Sequence, residues 1–197
     1  FFYKVLFDLG LVAESEPFTN RLNRGLILGP DGNKMSKSKG NVIEPDPLVE
    51  KVGADTVRMY LAFIGPYNEV GSYPWDPNGV VGMRRFLERV WKLSENLSGE
   101  MSHEVNVALH KLIKRVGEEF SQLKFNAGIA QLMSFSNLVE KQGVNKAGFS
   151  EFLKLLSTCA PHICEEMWSN IGNEGMVSEA QWPKFDESVF KDEELNV

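Results

Sequence analysis

From Val80 onward, apolar side chains recur every three or four residues, and this spacing constrains the fold more than any other feature of the sequence. Such a repeat places the apolar residues on one face of an α-helix. The joins between the helical patterns are short, so we expect neighbouring helices to run antiparallel and to pack as a bundle of four or five. The predicted helices span residues 80–97, 105–123, 125–139, 149–156 and 160–171.

Several residues of this region fit close helix packing. Ala127, Gly128 and Ala130 are small, and small residues let a neighbouring helix approach closely. Pro161 falls near the first position of the last predicted helix, where its missing N–H does no harm. Cys159 and Cys164 have no second Cys or His pair nearby, so two free, buried thiols are predicted rather than a zinc site.

The first part of the chain has a different pattern. An apolar stripe in residues 1–9 predicts a helix, which Gly10 ends, and Leu26–Leu28 is a short apolar run typical of a strand. One helical turn is predicted for residues 48–52 and a clearer helix for residues 54–64.

Residues 66–79 are rich in proline and form a predicted connector, which Tyr73 and Trp75 attach to the core. The predicted fold is therefore mainly α. A small α/β segment occupies residues 1–76 and an α-helical bundle occupies residues 77–197.

Length, charge and composition limit the possible functions. The 197 residues suffice for one large or two small domains, and the chain begins at Phe1 without a methionine, which suggests a piece of a longer polypeptide or a processed subunit. The net charge of −6 argues against an indiscriminate nucleic-acid binder. No apolar run approaches the roughly 18 residues of a membrane span, so we expect a cytoplasmic protein without a membrane partner.

A cationic stretch, Lys34 to Gly40, is the strongest chemical feature, and we call it the lysine loop. It contains three ammonium groups and two hydroxyls, a turn-rich run (residues 29–33) precedes it, and proline residues are predicted to keep residues 42–47 extended. Lysine carries a compact charge on a long stem and can follow a phosphate that moves. The lysine loop is therefore either a binding site for a polyphosphate or a run of solvated charges on a surface turn.

The string Lys34-Met35-Ser36-Lys37-Ser38 resembles the KMSKS signature of class I aminoacyl-tRNA synthetases, and Gly53-Ala54-Asp55 follows at that family's spacing. Within class I the resemblance is strongest to the bacterial-type leucyl-tRNA synthetases and extends over nearly the whole chain. The segments that carry it are Glu16-Pro17-Phe18-Thr19, Lys39-Gly40-Asn41, Arg85 to Trp91, Ala160 to Trp168, Gly172 to Gly175 and Trp182-Pro183.

The chain also departs from that family. Pro74-Trp75 stands where the family shows an acidic residue with the tryptophan, and no leucine-specific insertion precedes Lys34. No His-Ile-Gly-His-like motif is present. The resemblance therefore implies the end of a catalytic region, with the stem-contact-like segment, followed by an anticodon-binding helical domain. The N-terminal catalytic half would lie on the same chain or on a separate subunit, and this segment alone is predicted to be inactive.

The resemblance implies ATP, Mg²⁺, leucine and tRNA(Leu) as ligands of the full enzyme, with none tightly bound to this segment and no resident metal. Lys37, assisted by Lys34, is then the catalytic group that meets charge on the departing pyrophosphate. The other predicted ATP-site residues are Ser36, Ser38, Met35 and Gly40. Of these, Met35 is expected to anchor the loop, and Asn41 is expected to cap the turn that follows.

Basic residues of the first two bundle helices are candidates for contact with the tRNA backbone. They form two predicted surfaces, the first with Arg84, Arg85, Arg89 and Lys92 and the second with Lys111, Lys114 and Arg115. Pairing along the helix with Glu88 or Glu95 is the competing interpretation of the first surface. His162, a lone histidine at a helix start, is predicted to be structural and to bind a backbone or carboxylate group.

Three other functions remain open on the sequence alone. The chain is alternatively part of an isoleucyl-, valyl- or methionyl-tRNA synthetase, although the segment from Gly172 to Pro183 argues against this. It is alternatively a non-catalytic tRNA-binding module with a vestigial lysine loop. A purely structural bundle would leave the signature unexplained.

Overall fold

The computed structural model describes residues 1–22, 25–67 and 69–191, and most of these residues are helical. The fold class predicted from the apolar spacing is confirmed: a small segment with a two-stranded sheet precedes a helical bundle. The elements are α1 (Phe2–Asp8), β1 (Ile27–Leu28), α2 (Pro45–Val52), α3 (Ala54–Phe63), β2 (Tyr73–Pro74), α4 (Pro77–Ser94), α5 (His103–Ser121), α6 (Phe125–Gln142), α7 (Lys146–Ser157), α8 (Pro161–Asn170) and α9 (Ser188–Lys191).

The two short strands form a parallel pair that fixes the start of the lysine loop. Ile27 pairs with Tyr73 and Leu28 with Pro74, while Leu28 also forms an antiparallel bridge to Lys34. The strand predicted at residues 26–28 is therefore confirmed, and the predicted connector supplies its partner. The backbone that leads into Lys34 is thus held by hydrogen bonds on both sides of Leu28.

Four helices, α2, α4, α5 and α7, begin two or three residues earlier than predicted, and α2 and α4 show the physical reason. The extended conformation expected for residues 42–47 is wrong from Pro45 onward, because α2 begins there, and the turn predicted at residues 48–52 is only the second half of α2. Proline fits the first turn of a helix, where the backbone N–H groups lack partners within the helix. Likewise α4 begins at Pro77 rather than Val80, and the Asp76 carboxylate accepts a hydrogen bond from Asn78 N at 2.9 Å.

One hydrophobic core joins the small segment to the bundle. Tyr60 of α3 packs edge-on against Trp75, with ring centroids 4.8 Å apart, and its hydroxyl accepts a hydrogen bond from Asp76 N at 2.7 Å. Trp75 therefore attaches the connector to the core, as predicted. The largest fully buried side chains, most of them in the bundle, include Met59, Phe86, Ile129, Leu132, Phe149, Phe152 and Met167.

The helices of the bundle begin at side-chain caps where the sequence offers them. The Ser102 hydroxyl accepts from Val105 N at the start of α5, and the Asn145 amide oxygen accepts from Gly148 N at the start of α7. The free thiols of Cys159 and Cys164 are confirmed, and burial raises the pKa of both. Among the helices of the described residues, none has the length and apolar character that crossing a membrane requires.

Gly128 of α6 lies in close contact with the Phe120 ring of α5, which gives a first prediction. A Cβ atom at Gly128 would lie 2.3 Å from Cε1 of Phe120. We expect Gly128→Ala to lower the free energy of unfolding of the 197-residue chain by about 1–3 kcal/mol, because the added methyl group overpacks this contact. Urea unfolding followed by circular dichroism measures this change.

Gly82 provides the matched control for that substitution. It is also helical, but no atom lies within 4 Å of the position of its missing Cβ. Gly82→Ala should therefore raise the free energy of unfolding by roughly 0.5–1 kcal/mol through the better helix propensity of alanine. Equal effects of the two substitutions would contradict the close contact at Gly128.

Candidate functional site

The lysine loop is folded locally rather than extended. Residues Lys37–Lys39 form one 3₁₀ turn, in which Lys39 N donates to Ser36 O at 3.1 Å and Gly40 N to Lys37 O at 3.2 Å. Gly40 ends the turn with φ of 66°, a conformation that favours glycine. The hydroxyl oxygens of Ser36 and Ser38 lie 2.8 Å apart and share a hydrogen bond.

A pair of side chains, Asp31 and Asn41, closes the lysine loop at its base, and we call this pair the loop brace. The Asn41 amide oxygen accepts from Ser36 N at 2.9 Å. The Asn41 amide nitrogen donates to both carboxylate oxygens of Asp31, at 3.1 and 3.2 Å, and to Lys34 O at 3.3 Å. The predicted role of Asn41 as a cap of the following turn is therefore wrong, because its side chain points back across the loop.

Asp31 keeps its negative charge within the loop brace. Asn33 N donates to one carboxylate oxygen of Asp31 at 3.1 Å. This backbone hydrogen bond, and then the one from the Asn41 amide, lowers the pKa of the exposed Asp31 carboxyl group below its usual value. Asp31 is thus ionised at neutral pH, and its carboxylate can accept the hydrogen bonds from Asn33 and Asn41.

Gly29 has no space for a side chain beside the loop brace. A Cβ atom there would lie 2.7 Å from Oδ1 of Asp31 and 2.9 Å from Nδ2 of Asn41. The glycine is therefore required by the close approach of the two side chains that hold the loop.

The ammonium groups of the loop are available to a ligand. Lys34, Lys37 and Lys39 are exposed, and no carboxylate among residues 1–22, 25–67 and 69–191 forms an ion pair with any of them. Met35 is half-buried and packs against the hydrophobic core, as expected for an anchor. The loop brace thus supports cations that form no ion pair within the described part of the chain, an arrangement that suits a polyanion.

Asp55 links the segment that carries the loop to the bundle. It lies in the first turn of α3 and is buried, yet its Oδ2 accepts from Ile163 N at 2.7 Å, at the start of α8. Its Oδ1 lies 2.8 Å from Nδ1 of His162. The structural role predicted for His162 is therefore confirmed. Arg58, one turn further along α3, donates from Nε to Cys159 O at 3.3 Å.

The candidate basic residues do not form one continuous ridge. Arg84 forms an ion pair with Glu88, four residues further along α4, at an N–O distance of 2.7 Å. For Arg84, this pairing agrees with the competing interpretation of the first surface. Arg89 points toward α6, where it donates to the Asn137 side chain at 2.9 Å and lies 3.6 Å from the Glu140 carboxylate. Arg85 and Lys92 are exposed on α4.

The second basic surface is also divided. Lys111 and Arg115 line a groove between α5 and α6 with a volume of about 240 Å³. Lys114 faces the C-terminal segment instead, where it pairs with Glu187 at 2.9 Å and lies over the Phe185 ring. Of this surface, Lys111 and Arg115 are thus brought together in one groove.

Both parts of the chain resemble known proteins. A family model described as tRNA synthetases class I (I, L, M and V) matches residues 1–70. A second, described as the anticodon-binding domain of tRNA ligase, matches residues 103–197. The leucine–tRNA ligase of Pelodictyon phaeoclathratiforme (strain DSM 5477 / BU-1) is 45% identical over an alignment that covers the whole chain. The chain belongs to the class I aminoacyl-tRNA synthetases.

Further relatives agree with this class I assignment and favour its leucine branch. The leucine–tRNA ligase of Chlorobium phaeobacteroides (strain BS1) is 44% identical over the whole chain. The chain covers 25% of each of these two relatives, so it spans about a quarter of their length. The LeuRS of Agrobacterium radiobacter K84, in a ternary LeuRS–tRNA–LeuAMS complex, superimposes with a TM-score of 0.82 at 34% identity, over 95% of this chain and 26% of that one.

The class I signature accounts for the lysines, but sequence reasoning missed the residues that hold them. In the sequence, Asp31 is only one residue of the turn-rich run 29–33, and the expectation that Asn41 caps the following turn is wrong. An Asp and an Asn that flank a cationic loop, ten residues apart, were the available signal for the loop brace. Asp55 belongs to the Gly53-Ala54-Asp55 segment of the resemblance, but its contacts could not be predicted, because its partners lie more than 100 residues away.

Proposed function

We propose that this chain is part of a leucine–tRNA ligase. In the complete enzyme, leucine is activated with ATP to leucyl-adenylate, and the leucyl group is then transferred to tRNA(Leu) in the cytoplasm. The observation that carries the proposal is the braced lysine loop, whose ammonium groups pair with no carboxylate of the described residues, in a chain that is 45% identical to a leucine–tRNA ligase over all of this chain.

The proposed chemistry assigns each part of the loop a task. The leucine carboxylate attacks the α-phosphorus of ATP, the bond to the bridging oxygen of the β-phosphate breaks, and pyrophosphate leaves with the electron pair. Charge grows on the leaving oxygens, and Lys37, assisted by Lys34, meets it in the transition state. Ser36 and Ser38 supply neutral donors, Gly40 allows the backbone to approach the phosphates closely, and Met35 anchors the loop.

Mg²⁺ is proposed to arrive with the phosphates of ATP. The described part of the chain contains no group of three His, Cys, Asp or Glu side chains arranged to hold a metal ion. The loop offers cations and hydroxyls, which suit phosphate oxygens rather than a metal. The residues of this chain therefore fit the triphosphate, and the ion would neutralise the phosphates further.

The remaining catalytic parts are proposed to lie upstream in the complete enzyme. The N-terminal catalytic half would carry the His-Ile-Gly-His motif and the leucine pocket. It would also cover apolar side chains that are exposed in this chain. These side chains are Phe2, Val5, Leu6, Phe7, Leu9, Leu11 and Phe18. The division into a catalytic end (residues 1–76) and an anticodon-binding bundle (residues 77–197) remains part of the same proposal.

The bundle is proposed to bind the tRNA backbone through the exposed cations of α4 and α5. Arg85 and Lys92 make the strongest case on α4, since Arg84 and Arg89 are already engaged by side chains of the bundle. On α5, Arg115 is exposed and lines the groove beside α6 together with the half-buried Lys111. Lys114 is paired with Glu187. We expect each phosphate contact to make tRNA binding more sensitive to salt.

The experiment that tests the function is aminoacylation by the complete enzyme. Leucine should support ATP–pyrophosphate exchange and charging of tRNA(Leu), whereas isoleucine, valine and methionine should give at most a small fraction of that rate. Charging of another amino acid in preference to leucine would reject the leucine assignment. Absence of any exchange by the complete protein would favour a tRNA-binding module without catalysis.

The loop brace gives a prediction that rests on the proposed function. Asn41→Ala removes the hydrogen bonds to Ser36 N, Asp31 and Lys34 O. Because a small misplacement of catalytic groups is costly, pyrophosphate exchange should fall roughly tenfold. Asn41→Asp should be no better, since a carboxylate cannot donate and would face the charge of Asp31. Exchange within twofold of wild type for both variants would show that the brace does not position the loop.

A further inference from the structure

A cleft separate from the lysine loop lies where α4, the turn between α2 and α3, and the start of α8 meet. Its volume is about 590 Å³, within the roughly 300–1,000 Å³ typical of ligand sites. The described residues that line it include none of the loop lysines, and the proposed adenylate chemistry does not use it.

The floor of the cleft is apolar and contains one aromatic ring. Leu87 is buried, and Ile163 and Trp91 are half-buried. The indole nitrogen of Trp91 donates to the Glu95 carboxylate at 3.1 Å, which holds the ring and satisfies its polar atom. Trp91 lines the cleft and is only half-buried, so its ring is accessible to a planar partner, and stacking of a base on such a ring depends little on the base's identity.

The rim of the cleft carries two cations, Arg84 and Lys92, and the carboxylate of Glu88, which is paired with Arg84. Lys92 is exposed and forms no ion pair with a carboxylate in the described part of the chain. Arg84 donates to Glu88 and to Val52 O, which uses two of the five N–H groups of a guanidinium. The remaining N–H groups of Arg84 and the ammonium group of Lys92 suit one anionic oxygen group.

His162 adds an acceptor to the same cleft. Asp55 accepts from Ile163 N and faces Nδ1 of His162 at 2.8 Å, so Nδ1 carries the ring proton. Nε2 of the neutral ring is then left as an acceptor, on a side chain that is 74% exposed. A hydroxyl group is a suitable donor to this nitrogen.

We propose that the cleft receives one unpaired nucleotide of the bound tRNA, with its base on Trp91, a phosphate between Lys92 and Arg84, and the ribose 2′-hydroxyl donating to Nε2 of His162. A nucleotide combines the planar ring, the anion and the hydroxyl donor that the floor, the rim and His162 accommodate. The proposal rests on the proposed tRNA-dependent function and names a new point of contact within it.

The first test measures the affinity of the complete enzyme for tRNA(Leu) at several salt concentrations. Loss of one phosphate contact in Lys92→Gln should weaken binding roughly 3- to 10-fold and reduce the slope of log affinity against log salt by about 0.7–0.9. Lys141→Gln, an exposed lysine at the end of α6 that does not line the cleft, is the matched control and should change neither quantity. Identical salt slopes for the two variants would overturn the proposal.

The second test locates the base. Transcripts of tRNA(Leu) that each carry 2-aminopurine at one unpaired position are bound to the wild-type enzyme and to Trp91→Leu. One position should be quenched by the wild-type enzyme and not by Trp91→Leu, which keeps an apolar side chain but removes the ring. A quenching pattern unchanged by Trp91→Leu at every position would reject the stacked base.

A third measurement distinguishes failure of this inference from failure of the proposed function. Leucine-dependent pyrophosphate exchange without tRNA should be equal in wild type and Trp91→Leu, which also shows that this variant is folded. Normal exchange and charging with unaltered tRNA binding would overturn the cleft assignment alone. Absence of leucine-dependent exchange in the wild-type enzyme would instead reject the proposed function.

Discussion

Lys37→Ala is expected to lower leucine-dependent ATP–pyrophosphate exchange by the complete enzyme roughly 100- to 1000-fold, the usual effect of removing one transition-state donor. The physical reason is that charge on the departing pyrophosphate grows as the bond to the α-phosphorus breaks. The Lys37 ammonium group is exposed and is not neutralised by any carboxylate among the described residues. It can therefore meet this charge without first breaking an ion pair.

Lys51 provides the matched control for Lys37. It is also exposed, it lies in the last turn of α2, and Lys51→Ala removes the same charge outside the lysine loop. Its exchange rate should stay within about threefold of wild type, because a surface charge without a specific partner contributes little. Equal rates for Lys37→Ala and wild type would remove Lys37 from the catalytic machinery.

Asp55→Ala is expected to lower the free energy of unfolding of the 197-residue chain by about 3 kcal/mol. The side chain is buried, and the substitution leaves Ile163 N without its partner at the start of α8. A hydrogen bond to a charged group contributes roughly 1.5–3 kcal/mol, and an unsatisfied donor adds to the loss. Urea unfolding measures the change.

Two further variants separate the parts of that contact. His162→Ala removes only the mostly exposed partner of Asp55 and should cost less than about 1 kcal/mol. Asp55→Asn keeps an acceptor for Ile163 N and should fall between the other two variants. A stability of Asp55→Ala within 0.5 kcal/mol of wild type, about the size of an ordinary surface substitution, would show that the link between α3 and α8 is unimportant.

Much of the fold follows from the spacing of apolar residues, because burial of one face stabilises a helix wherever that spacing persists. The helices from α4 to α8 were predictable on this ground, and so was the strand before the lysine loop. The start of α2 was not, because two prolines suggest an extended chain by their local preference. The prolines fit the helix only if it begins at them, and the position of the helix start depends on the packing of α2 against α3.

The same distinction between local sequence patterns and contacts made by packing applies to the candidate site. Lys34 and Lys37 were predictable because their types, order and spacing form a recognisable signature. The loop brace depends on the direction of one asparagine side chain, and the contact of Asp55 with α8 spans more than 100 residues. The basic residues of α4 were correctly placed on exposed positions, but only the neighbouring helices determine which of them are engaged by acceptors, as Arg89 is by α6.

The most direct test of the central claim is single-turnover formation of leucyl-adenylate by Lys37→Ala at a series of ATP concentrations. If Lys37 acts on the leaving pyrophosphate, the limiting rate should fall at least about 100-fold, while the ATP concentration for half-maximal rate should change less than about threefold. A wild-type limiting rate reached only at much higher ATP would contradict the claim, because Lys37 would then bind ATP equally in the ground state and the transition state.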